Sequence, residues 1–61
     1  MSNQYLDTRS AARFLSVSED TLRAWRSRKK GPAYTKVEGA VRYSINDLEE
    51  YLSAHRVQHA S

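Results

Sequence analysis

The chain has 61 residues, a net charge of +3, 39% hydrophobic residues and no cysteine. Its length predicts one domain over residues 1–61, with a small core that buries only about 60% of the unfolded surface. The composition excludes a disulfide framework and a thiolate metal site. No apolar run approaches the ~18 residues of a membrane span, and the opening "MSNQYLDT" lacks the features of a signal peptide, so the expected location is the cytoplasm.

Tyr5 and Leu6 read as a short extended piece. Asp7 follows as an N-cap, its carboxylate placed to accept the free N–H groups of a helix starting at Thr8. Ala11, Ala12, Phe14 and Leu15 recur at helical spacing, so this helix runs to about Leu15 with those four as its apolar side. It is too short to hold by propensity and depends on packing. Ser16 and Val17 make a tight turn, with Val17 as its plug. Ser18 caps a second helix, where Glu19 and Asp20 suit the positive end of the dipole. Steps of about 100° put Ser18, Thr21, Leu22 and Trp25 on one side. Glu19, Asp20, Arg23, Ala24 and Ser27 point the other way, with Arg26 on the flank. Lys29 would return to the apolar side, so the helix stops near Arg28, and Gly31-Pro32 enforces the stop. Two short helices joined by so brief a turn form a helix-turn-helix pattern, with small Ala12 where they cross.

The segment "AYTKVEGAVRY" alternates weakly around Glu38-Gly39 and carries the β-branched Val37 and Val41. It predicts a β-hairpin that leans on the helices, since two strands alone are barely stable. Ser44 then caps a third helix, with Asp47 completing a capping box. Ile45, Leu48, Tyr51 and Leu52 form its inner stripe, while Asp47, Glu49 and Glu50 look outward. The ordered part is expected over about residues 5–54, with a frayed tail at 55–61.

Charge is unevenly spread. Residues 21–42 hold seven basic side chains, Arg23, Arg26, Arg28, Lys29, Lys30, Lys36 and Arg42, and one acid, Glu38, a balance of +6. The flanks set Arg9, Arg13 and Arg56 against six acids, a balance of −3. A basic middle between acidic flanks predicts a polyanionic partner.

Taken in order, "AARFLSVSEDTLRAW", "GPAYTKVEGAVRY" and "DLEEYL" resemble the short winged helix-turn-helix domains of the excisionase and MerR-like superfamily, over roughly residues 6–52. The resemblance implies a mainly α fold with a β-hairpin: helix-turn-helix, two-stranded wing, third helix. It implies specific binding of double-stranded DNA, with the second helix in the major groove and the wing on the backbone or the adjacent minor groove. Carried over by position, Glu19, Asp20, Arg23, Ala24 and Ser27 form the reading face, and Lys36, Glu38 and Arg42 belong to the wing. Ser16 stands where such turns often hold Gly, which predicts slight strain. Glu38 puts an acid near the wing tip and argues against deep minor-groove insertion. No heptad-bearing dimerisation helix follows Leu52 and no effector domain accompanies the fold, so no small-molecule effector is expected.

Arg23 is the first candidate for reading a base, because its guanidinium can span guanine O6 and N7. Its local alternative is an ion pair with Glu19, one turn back. Glu19 and Asp20 can accept from cytosine N4 or serve the helix dipole alone. Arg26, Arg28, Lys29 and Lys30 read as a phosphate grip that Lys36 and Arg42 extend along the wing. For any one of them the alternative is a solvated charge. Ser18 and Thr21 are phosphate donors near the helix start, against capping for Ser18 and partial burial for Thr21. Trp25 and Tyr43 belong to the core, and Tyr34 to the core or to a phosphate. His55 and His59 stand four apart without a third ligand and read as surface residues, so no metal or other cofactor is expected. No nucleophile, base and orienting group assemble, so no catalytic residue is assigned and no enzyme is expected.

The expected role is that of a small excisionase, a recombination directionality factor that assists a site-specific integrase in excision and sits at the nucleoid when bound. Copies on adjacent repeats would touch each other or the recombinase through the acidic third helix and tail. The alternatives are a stand-alone transcription regulator of the same fold and a protein-interaction module with no DNA role.

Overall fold

A computed structural model of the chain describes residues 4–57. The elements follow in the order β1 (Tyr5–Leu6), α1 (Thr8–Leu15), α2 (Glu19–Ser27), β2 (Thr35–Val37), β3 (Ala40–Ser44) and α3 (Ile45–Ala54). Each helix starts where a short side-chain oxygen can take up a free N–H. Asp7 Oδ1 accepts from Ser10 N at 2.8 Å, Ser18 Oγ from Thr21 N at 3.0 Å, and Ser44 Oγ from Asp47 N at 3.0 Å. Each such cap contributes about 1 kcal/mol.

The ends of α1 and α2 are built alike. Val17 N–H donates to Ala12 O at 3.0 Å and Ser16 N–H to Arg13 O at 3.1 Å. Lys30 N–H donates to Trp25 O at 2.7 Å and Lys29 N–H to Arg26 O at 3.0 Å. These are Schellman pairs of bonds, which require one left-handed residue. Ser16 takes that conformation at φ 61° and Lys29 at φ 59°. Neither is Gly, so each helix end holds a strained residue, and Ser16 carries the strain its position predicts. Two residues after Lys29, Gly31 passes so close to Trp25 that a Cβ there would lie 3.1 Å from its ring.

Ala11, Ala12, Leu22, Tyr43 and Leu48 are buried, and Leu6, Leu15, Val17, Trp25 and Val41 pack around them. The small side chains of α1 let it lie against α2, α3 and β3 together. Trp25 meets Tyr51 of α3 at 6.0 Å between ring centroids. Two expected core positions are corrected. Phe14 is 38% exposed and Leu52 44% exposed. Phe14 lies more than a quarter turn from the centre of the stripe made by Ala11, Ala12 and Leu15. Leu52 has the right angle but sits in the last turn, beyond Leu48, the one fully buried residue of α3.

The sheet is also larger than the two-stranded wing expected. β1 joins the hairpin in the order β1-β3-β2. It pairs antiparallel with β3, Tyr5 opposite Ser44 and Leu6 opposite Tyr43, and Ile45 N–H donates to Gln4 O at 2.9 Å. β1 thereby covers an edge of β3 that would otherwise present unpaired backbone groups. On the other side Thr35 faces Arg42, Lys36 faces Val41 and Val37 faces Ala40. At the wing tip Glu38 and Gly39 both have positive φ, 51° and 85°, the geometry of a two-residue type I′ hairpin turn.

His55 follows α3, its ring centroid 4.1 Å from that of Tyr51. His59 and the rest of the tail expected to fray beyond residue 57 lie outside the described residues. Among the described residues no helix is long and apolar enough to cross a membrane.

Candidate nucleic-acid interface

Leu22 is buried and Trp25 packs beside it, which fixes the rotation of α2 about its axis. Asp20, Arg23, Ala24 and Ser27 are consequently exposed, and Glu19 is half-buried. Arg23 occupies the middle of this face. Its Nη2 lies 2.7 Å from Glu19 Oε2 and its Nη1 3.6 Å from Asp20 Oδ1. The face and the local ion pair weighed from the sequence therefore coexist. Exposed helix pairs contribute only ~0.2–0.5 kcal/mol each, so the pairing is easily exchanged for another partner.

Beside this face lies a cleft of about 420 Å³, walled by Asp7 and Arg9 of the α1 start, by Glu19, Arg23 and Arg26 of α2, and by Arg42 of β3. Four arginines thus meet two acids. Arg9 is the residue that sequence reasoning missed, because it lies in the acidic flank of the chain and only the fold carries it to the basic middle. A signal was present: Arg9 is a cation in the first turn of a helix, where the dipole disfavours it. The Asp7 carboxyl is held below its ordinary range, first by the Ser10 backbone N–H, then by the Ser10 hydroxyl, with smaller help from Arg42 and Arg9.

A family model for a helix-turn-helix domain matches residues 5–56, nearly the whole described chain. The chain belongs to the helix-turn-helix domain family. In this helix-turn-helix domain α1 and α2 form the motif, Ser16 and Val17 its turn, and β2 with β3 the wing, so the fold is a winged helix-turn-helix. The match supports binding of double-stranded DNA. A search of curated proteins found no significant match.

The remaining candidates of the helix-turn-helix domain fall into two groups. Arg28, Lys29 and Lys30 are exposed where α2 ends. A second cleft, of about 410 Å³, sets Lys29 and Lys30 beside Tyr34 and Arg26. Lys36 is exposed on β2 and shares a sheet face with Val41, which borders the first cleft. Arg42 donates from Nη1 to Val41 O at 2.9 Å, which lays its side chain along the base of the wing.

Arg26, Ser18 and Thr21 are placed differently. Arg26 is half-buried. Its Nη1 donates to Thr8 Oγ1 and to Tyr43 Oη, both at 3.2 Å, and its guanidinium lies 5.8 Å from the Tyr34 ring centre. It ties α2 to α1 and to the wing while bordering both clefts. The Ser18 hydroxyl donates to Thr21 Oγ1 at 2.8 Å while accepting the Thr21 N–H. Its proton is therefore engaged within the cap.

Proposed function

We propose that the protein binds a specific double-stranded DNA site as a recombination directionality factor, an excisionase-type accessory to a site-specific recombinase. α2 enters the major groove with Glu19, Asp20, Arg23, Ala24 and Ser27 toward the bases. Arg9 and Arg42 hold the backbone beside the wing, Lys36 adds a contact from the hairpin face it shares with Val41, and Arg28, Lys29 and Lys30 hold it at the far end of α2. Arg26 steadies the angle between α2 and the wing, and the Thr21 hydroxyl, rather than that of Ser18, serves a phosphate near the helix start.

The observation that carries the DNA reading is the joining of the exposed α2 face to an arginine-walled cleft at the base of the wing. A groove-sized helix flanked by cations matches the division of labour in which phosphate contacts position and base contacts specify. The excisionase role draws on the resemblance in "AARFLSVSEDTLRAW" and the segments after it. Exposed Glu49 and Glu50 on α3 offer an acidic surface, on an element other than α2 and the wing, for the recombinase or a neighbouring copy.

Selection of bound duplexes from random DNA, with footprinting of the winner, yields the site, its repeat spacing and the stoichiometry. Excision by the recombinase is then measured with and without the protein on that site. Stimulated excision supports the role. Unchanged excision together with control of a nearby promoter assigns the same DNA binding to transcription instead.

A further inference from the structure

We infer that Glu19 and Asp20 are specificity-determining residues that act through Arg23, as an internal competitor keeping its guanidinium off phosphates until a base edge recruits it. The inference rests on the DNA-binding reading of α2. Among the described residues, the ion pairs within 4 Å both fall on Arg23, one with Glu19 at 2.7 Å and one with Asp20 at 3.6 Å. The cations assigned to the backbone, Arg9, Arg28, Lys29, Lys30, Lys36 and Arg42, have no such partner there. The pairing is thus confined to the cation at the centre of the reading face. Arg23 is presented rather than hidden, with its side chain 55% exposed.

The chemistry of the two possible destinations differs. A phosphate offers Arg23 what Glu19 already provides, an anion whose two oxygens can take the guanidinium fork. Reaching for it also brings two carboxylates toward a polyanion, so little is gained. A guanine edge offers two acceptors, O6 and N7, in the plane of the guanidinium fork. It carries no formal charge to repel the carboxylates, and the N4 amino group of the paired cytosine can donate to one of them. Placement in the first turn of α2 keeps both acids where the helix dipole favours them. The same residues that cap the dipole therefore filter the partners of Arg23.

The test compares the wild-type protein with E19Q, D20N, R23A and the E19Q/R23A double variant. Each is titrated, over a range of salt, against the duplex recovered by selection and against a shuffled duplex of equal length and composition. Helix content by circular dichroism verifies folding. E19Q is expected to tighten the shuffled duplex roughly 1.5-fold to 2-fold, the scale of an exposed helix pair, and to steepen its log K against log salt by about 0.9, the mark of one added phosphate contact. The selected duplex gains less or weakens, so the specificity ratio falls, and D20N gives a smaller change of the same sign. In the R23A background the effect of E19Q disappears. Equal changes on both duplexes, or an E19Q effect that persists without Arg23, overturn the inference and make Glu19 a simple repeller of phosphate. A wild-type protein that retards no duplex at any salt overturns the DNA reading itself.

Discussion

Arg23 and Arg42 carry the same charge in different surroundings. Arg23 stands on the exposed side of α2, whereas Arg42 is half-buried and bonded to the backbone of its own strand. Arg23→Ala is expected to cost ~1–3 kcal/mol on the selected duplex and to flatten base preference at one position. Arg42→Ala and Arg9→Ala are expected to weaken every duplex alike and to lower the salt slope by about 0.9 each. Anisotropy titrations on matched and mutated duplexes separate the two patterns, and an exchange of outcomes would reverse the roles of helix and wing. Asp7 supplies a pH prediction. Its folded-state carboxyl titrates below its ordinary value of 3.8, so the stabilisation is fully present above that value and is lost as pH falls through the lowered one. Urea unfolding at neutral pH and near pH 3 is expected to show a smaller acid loss in Asp7→Asn, which keeps the capping oxygen, than in the wild type. At this scale the exposed face of α2 was legible. The outward residues of α2 follow from the 3.6-residue period once Leu22 and Trp25 point inward. Arg26 was less so, because its acceptors, Thr8 and Tyr43, lie on elements that no local pattern links to it.

Elements were easiest to read where their signals are local. Asp7, Ser18 and Ser44 announce helix starts because one side chain and an N–H three residues on decide each cap. The two positive φ angles at Glu38 and Gly39 complete a reversal that the Gly already suggested. β1 was harder to place. Tyr5 and Leu6 look extended in sequence, but their pairing with Ser44 and Tyr43 depends on register across most of the chain. The helix ends supply the test for this scale. Ser16 holds a left-handed turn at φ 61°, a conformation that costs a non-Gly residue ~1–2 kcal/mol, against the ~0.5–1 kcal/mol of extra chain entropy that Gly loses. Ser16→Gly is therefore expected to stabilise the fold by about 0.5–1 kcal/mol in urea titrations, with DNA affinity unchanged. A destabilised Ser16→Gly would mean that the Ser16 side chain contributes more than its backbone strain costs.

For the whole molecule, the polarised charge governs behaviour toward salt. Arg23, Arg26 and Arg42 of the basic middle share one cleft with Arg9, and the acids of α3 lie on another element. Raising salt is expected to weaken DNA binding steeply, by roughly 0.9 in log K per log unit of salt for each phosphate contact. Binding indifferent to salt would leave the arginine-walled cleft without its assigned task. The buried hydrophobic cluster that holds this arrangement, among the described residues, is drawn from α1, α2, β3 and α3, so no two elements can form it alone. The place of β1 beside β3 carries a consequence for how the protein comes into being. Tyr5 and Leu6 are synthesised before the helix-turn-helix, and their partners Ser44 and Tyr43 only after it. A nascent chain that has reached only the end of α2 possesses both helices of the helix-turn-helix but neither its sheet nor buried Tyr43. The sheet therefore cannot close until Tyr43 and Ser44 have been made, and a chain stopped before them lacks the finished surface of this domain.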